Sequence, residues 1–184
     1  MSENALELSR MVKVRPLPAD RVVITPDASE CAALSERFGI IAIERLEACL
    51  SLESTSAGIT AKGPMTARIT QACAVSGDDF LVSVSEDLEL LFVEQSTLDA
   101  RENGEVNEDG AIEVDLFAQE AEEIGYEGDG FDLGEAVAQS LGLAIDPYAE
   151  GPNADAARKD AGIADKNASN GPLADALSAA LKKK

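Results

Sequence analysis

The residues able to do chemistry are unevenly stocked: three cysteines (Cys31, Cys49 and Cys73), thirty-five carboxylates and no histidine. Without imidazole, the commonest general base and the commonest metal ligand are both missing. The cysteines are odd in number and widely spaced. They form neither a disulfide framework nor a pair at the two-residue spacing of zinc ligands, and they fit a reducing compartment. Cys73 stands in an apolar run, where a buried structural thiol is expected rather than a nucleophile. "ENGEVNEDGAIEVDL" sets Glu105, Asn107, Asp109, Gly110 and Ile112 at spacings like a calcium loop. Leu116 stands where a bidentate Glu should close that loop, so a β-turn is expected. "GYEGDGF" is no phosphate loop, because its carboxylates repel phosphate. No catalytic residue, metal site or cofactor is expected, and a small enzyme of unknown chemistry is the third of three functional readings.

The 184 residues are 45% apolar and 4% aromatic, enough for one core. No apolar run approaches the eighteen residues of a membrane span, and "MSENALELSRMVKV" lacks the basic-then-apolar order of a signal peptide. A cytoplasmic monomer is expected. The net charge of −20 is concentrated: residues 1–85 carry −3, residues 86–132 carry −16 and residues 133–184 carry −1. Such a middle segment repels phosphates and suits a basic protein partner; its plain alternative is a solvated loop that aids solubility. Glu105, Glu108, Asp109, Glu113, Asp115, Glu120, Glu122 and Glu123 are the candidate contacts. A direct RNA-binding module is the second reading, and only Arg10, Lys13, Arg15, Arg21, Arg37 and Arg45 could give it a basic face.

Behind these residues the periodicities define elements. "MVKVRPL" reads as a first strand, and "TPDASECAALSERFGI" as a helix capped by Thr25 or Asp27. In that helix Asp27 and Glu30 make a capping-box pattern, Cys31, Leu34 and Phe38 form the inner stripe, and Gly39 is the stop. "ERLEACLSLES" alternates through Leu46, Ala48, Leu50 and Leu52. "GITAKGPMTARITQACAVS" reads as a short strand, a break at Gly63-Pro64 and a long strand carrying Met65, Ala67, Ile69, Cys73 and Val75 on one face. "FLVSVSEDLELLFVE" and "AIEVDLF" alternate again. "FDLGEAVAQSLGLAIDPY" is a helix over 132–145. A D-x-x-E cap at Asp132 and Glu135 opens it, Leu133, Val137, Leu141 and Ala144/Ile145 form its stripe, Ala136 and Leu143 widen that stripe, and Pro147 follows its end. The expected fold class is α+β: an antiparallel sheet, open or barrel-like, packed by two main helices, with a flexible C-terminal tail. Residues 1–150 form the domain, including the acidic segment 86–132. Residues 151–171 read as a flexible linker. Residues 172–184 read as a short amphipathic helix whose Leu173, Leu177 and Leu181 offer a second partner contact.

The order of these pieces resembles the YceD-like proteins, the large ribosomal RNA subunit accumulation family, and "TPDASECAALSERFGIIAIERLEACLSLE" resembles its alphaproteobacterial branch. The resemblance covers residues 10–150 and the terminus. It is carried by "ITQACAVSGDDF", by "FDLGEAVAQSLGLAIDPY" after an acidic stretch and by "LADALSAALKKK". Its signature positions here are Cys73, Phe80, Asp132, Leu133, Glu135, Leu141, Leu143, Asp146 and Pro147. The resemblance implies a non-enzymatic factor supporting synthesis, processing or stability of large-subunit ribosomal RNA. The partner expected is a basic ribosomal protein or assembly factor, with contact to the RNA itself indirect or weak. Many members carry a C-x-x-C pair on the middle strand. Here Ser76 holds the second position, so a zinc-dependent role is not expected of this chain.

Overall fold

The computed structural model describes residues 7–102 and 122–163. Its strands and helices run in the order β1 (Met11–Lys13), β2 (Val22–Ile24), α1 (Ala28–Phe38), β3 (Ala42–Ser54), β4 (Ile59–Ala72), β5 (Asp79–Glu94), α2 (Gln95–Glu102), β6 (Glu122–Tyr126), β7 (Gly130–Asp132), α3 (Leu133–Ala144) and α4 (Ala154–Asp160). The chain divides into two compact units, one of Met1–Thr70 with Leu81–Asp146 and one of Gln71–Phe80 with Pro147–Lys184. The expected single domain over 1–150 therefore gives up residues 71–80 and 147–150 to the second unit. The class is α+β, as the sequence pattern implies. No described helix is long and apolar enough to cross a membrane.

In the first unit a five-stranded sheet runs β2-β3-β4-β5-β6, and β1 pairs with β7 in a separate ribbon. The sheet is open, which corrects the barrel-like alternative. Its edge strands have three and five residues, too little ladder to carry the stagger that closure demands. Nor is it wholly antiparallel, because β6 runs parallel to β5 from Leu90↔Glu122 to Glu94↔Tyr126. Parallel neighbours need a long crossover, which residues 95–121 supply, beginning with α2. Strand β4 continues through Gly63-Pro64, where a break was expected. Gly63 has φ 153°, and an added Cβ would lie 2.2 Å from the Cys49 carbonyl oxygen. Glycine therefore lets β3 stay close where Pro64 has no N–H to offer. Cys73 and Val75, expected on that strand, lie beyond its end at Ala72.

Both anticipated helices form. Asp27 accepts the N–H groups of Ser29 and Glu30, the Glu30 carboxylate returns to the Asp27 N–H, and Gly39 ends α1 in the left-handed conformation. The core gathers Ile24, Leu34, Leu46, Leu50, Met65 and Ile69 with Leu133, Val137 and Leu141 of α3, each no more than 1% exposed. Phe92 stacks on Phe131 at a centroid distance of 4.1 Å. Leu143 departs from the expected stripe and is 76% exposed. At 100° per residue it stands about 200° round the helix from Leu141.

The second unit departs from the linker reading. Residues 154–160 are helical, Ala154 is buried, and Arg158 binds Glu150 and, at 3.1 Å, Asp155. The small, polar sequence hid a short helix with one buried alanine and one ion-paired arginine. The remainder of the expected linker and the helix at 172–184 lie outside the described residues, as does the strand at "AIEVDLF".

Candidate functional site

The second unit places Cys73 at the head of a tight turn. Its N–H donates to the Asp78 carbonyl (2.8 Å), and its own carbonyl accepts from Gly77 (2.9 Å). The sulfur is surrounded by donors: the N–H groups of Val75, Ser76 and Gly151 point at Sγ from 3.4, 3.3 and 3.2 Å. Phe80 packs against the Gly151 backbone, and Asn153 donates to Asp78 at 3.1 Å. Cys73 is 3% exposed. Hydrogen bonding from the Ser76 side chain, then from the N–H groups of Ser76 and Gly151, lowers the thiol from its ordinary range to about 7, against the opposing effect of burial.

This arrangement does not fit zinc. One sulfur is present, its lone pairs already face N–H groups, and the Ser76 hydroxyl accepts the Asp78 N–H at 3.2 Å. Among the described residues no three Cys, Asp or Glu side chains gather as a metal-holding group. Tetrahedral zinc needs four ligands. What the turn can do is hold a thiolate, or another anion-like atom, among converging N–H dipoles.

In the first unit Asp132 is a junction. Its carboxylate accepts the N–H groups of Gly134 (3.0 Å) and Glu135 (3.1 Å), so it caps α3. It also accepts from the Ser9 hydroxyl (2.6 Å) and the Arg10 N–H (2.8 Å). Gly134 is needed there, because an added Cβ would meet the Arg10 nitrogen at 2.7 Å. The reciprocal half of the expected cap is missing: Glu135 turns to Arg37 in a two-point ion pair at 2.8 and 2.9 Å. That guanidinium lowers the Glu135 pKa. Leu133 and Leu141 are buried beneath the junction, Asp146 is exposed, and Pro147 follows the end of α3.

Half of the basic face that the sequence offered is occupied by carboxylates. Arg10 grips Glu30 at 2.7 and 2.8 Å, Arg37 also reaches Glu7, and Arg45 binds Glu47 at 2.6 Å. Lys13, Arg15 and Arg21 are exposed. Of the acidic candidates, Glu122 begins β6 and Glu123 is exposed on it. Glu105, Glu108, Asp109, Glu113, Asp115 and Glu120 lie outside the described residues, as do Leu173, Leu177 and Leu181.

The sequence reading missed a groove of about 470 Å³ between α1 and the first half of β3, lined by Asp27, Ala28, Ala32, Ile41, Glu44 and Leu46 among others. Its only signal was the run of small residues in "ASECAALS". Comparison with protein-family models, with curated proteins and with solved structures finds no match.

Proposed function

We propose that this chain is a non-enzymatic, cytoplasmic ribosome-biogenesis factor of the YceD-like kind, acting on large-subunit ribosomal RNA through a basic ribosomal protein or assembly factor. One observation carries the reading: among the described residues most arginines are paired with carboxylates, with Lys13, Arg15 and Arg21 left exposed, while many more carboxylates face solvent. Arg10, Arg37, Arg45, Lys62, Arg68 and Arg158 each form an ion pair with a carboxylate. Glu86, Asp87, Glu94, Glu127 and Asp129 are exposed. The sequence of 103–121 adds further acids and no base. Such a surface steers a Lys/Arg-rich protein inward and offers little to release counterions from a phosphate backbone. The signature residues Asp132, Leu133 and Leu141 then serve the frame that carries the acids.

The test is a salt titration of binding, run separately on purified basic large-subunit ribosomal proteins and on large-subunit RNA. Binding to a basic protein that weakens as salt rises, and weakens again when the Glu residues of 105–123 become Gln, is expected. RNA binding with a steep salt slope, and none to the proteins, would replace this reading with direct RNA recognition.

A further inference from the structure

Strand β5 outruns one of its two neighbours. It extends from Asp79 to Glu94 with β4 on one side, while on the other β6 covers only Leu90–Glu94. Among the described residues no other strand lies beside Leu81–Glu89 on that side, and no backbone group from outside the sheet bonds to it. The core reaches this edge without being closed there: Val84 is buried, and Val82 and Leu88 are half-buried. A row of open N–H and C=O groups beside apolar side chains is an edge that folded proteins cover. The chain rejoins the sheet at the end of this row, since Glu122 stands opposite Leu90.

We propose that residues 113–121 of this same chain take the open row, continuing β6 backwards in the register it already holds. In that register Val114 falls opposite Val82 and Leu116 opposite Val84, so apolar residues meet on the core face. Glu113 and Asp115 fall opposite Leu81 and Ser83, which are exposed on the outer face. Charge selects the same register. Glu86, Asp87 and Glu89 of β5 fall opposite Ala118, Gln119 and Ala121, so no two carboxylates are directly opposed. A slip of one residue sets Glu120 against Glu89 in one direction and against Asp87 in the other, and turns the apolar residues to the wrong face. Length permits the path. Residues 95–111 remain for the crossover, more than the dozen or so that a parallel connection needs. The chain from Glu102 to Val114 can span about 40 Å, as far as β5 rises from Val82 to Glu94. The inference deepens the proposed function and rests on its reading of a basic partner. Two of the candidate contacts, Glu113 and Asp115, gain a fixed place on the sheet face that carries the exposed Asp87.

The test is a disulfide between predicted partners on the outer face. Ser83→Cys with Asp115→Cys, in the full-length protein, is expected to close one intramolecular bond under mild oxidation. Peptide mapping separates it from any bond to Cys31, Cys49 or Cys73. The slipped pair, Ser83→Cys with Val114→Cys, should stay reduced, because its second thiol faces the core. Hydrogen exchange on the unmodified protein covers the case of a variant that fails to fold. Alternate amides within 81–89 should be protected, and Leu116→Glu should remove that protection while leaving the amides of β3 protected. A slipped pair that closes as readily as the predicted one overturns the register. Unprotected amides throughout 81–89 overturn the occupied row, and a disulfide found only between two chains makes the occupant a second copy and overturns it as well. Binding of a basic ribosomal protein is scored separately, with Glu113→Gln and Asp115→Gln. If the disulfide forms and no basic protein binds, the strand stands and the functional reading falls. If these substitutions weaken binding and no disulfide forms, the functional reading stands and the strand is lost.

Discussion

The converging N–H groups move the Cys73 thiol well below its ordinary range, and the consequence is a pH dependence. The folded thiol titrates near 7, below the ordinary thiol value of about 8.5. A depressed folded-state pKa adds stability above the unfolded value and loses it as pH falls through the folded one. Between about pH 7 and pH 8.5, stability should therefore rise with pH through Cys73. Cys73→Ser is expected to flatten that rise, measured by urea denaturation across the window. It should also remove the thiolate absorbance at 240 nm that appears near neutral pH. A wild-type protein whose thiolates all form above pH 8.5 would show that the N–H groups do not hold the charge. Sequence gave no warning of this environment, because Gly151, which completes it, stands far along the chain from the Cys73 turn.

The helices carry the next scale, and α3 is the one on which the first unit's core depends. Leu141 is 0% exposed, and Leu141→Ala should cost about 2–5 kcal/mol, read as a lowered denaturation midpoint with an unchanged slope. An unchanged midpoint would mean that the stripe is not packed in this core. Both α1 and α3 were legible in the sequence because their signals are local: a cap and its partner three residues on, then apolar residues at helical spacing. What stayed illegible depended on distant partners. Glu135 abandons the capping pattern for Arg37, 98 residues away in sequence, and no spacing rule reports that choice. Strand β6 was hidden inside an acidic run because its pairing is parallel and its partner β5 lies across a long crossover. The helix α4 was hidden by a composition that suits a linker equally well. The groove beside β3 is the same kind of feature, since it exists only relative to where β2 stops and α1 begins.

For the whole molecule, metal content is a direct check on the reading of the Cys73 turn. Protein purified without chelator should contain less than stoichiometric zinc, and Cys73→Ser should leave that content unchanged. One zinc per chain that disappears with Cys73→Ser would show that ligands come from residues outside those described. The ribbon of β1 with β7 has a different kind of consequence, one of timing during synthesis. The Arg10 N–H finds its acceptor in Asp132, 122 residues later. At about 5–20 residues per second a nascent chain waits roughly 6–25 s between making the first of these groups and the second. Throughout that interval the ends of the first unit cannot close, and Leu8 and Val12, buried in the finished fold, have no Phe131 or Leu133 to cover them. The acidic stretch is translated inside the same interval, so the least self-adhesive part of the chain emerges while its apolar edges are still open. A strongly charged nascent segment repels its like on neighbouring chains. Translation of a charge-neutralised variant should therefore yield more aggregate on crowded polysomes than the same variant refolded dilute from denaturant.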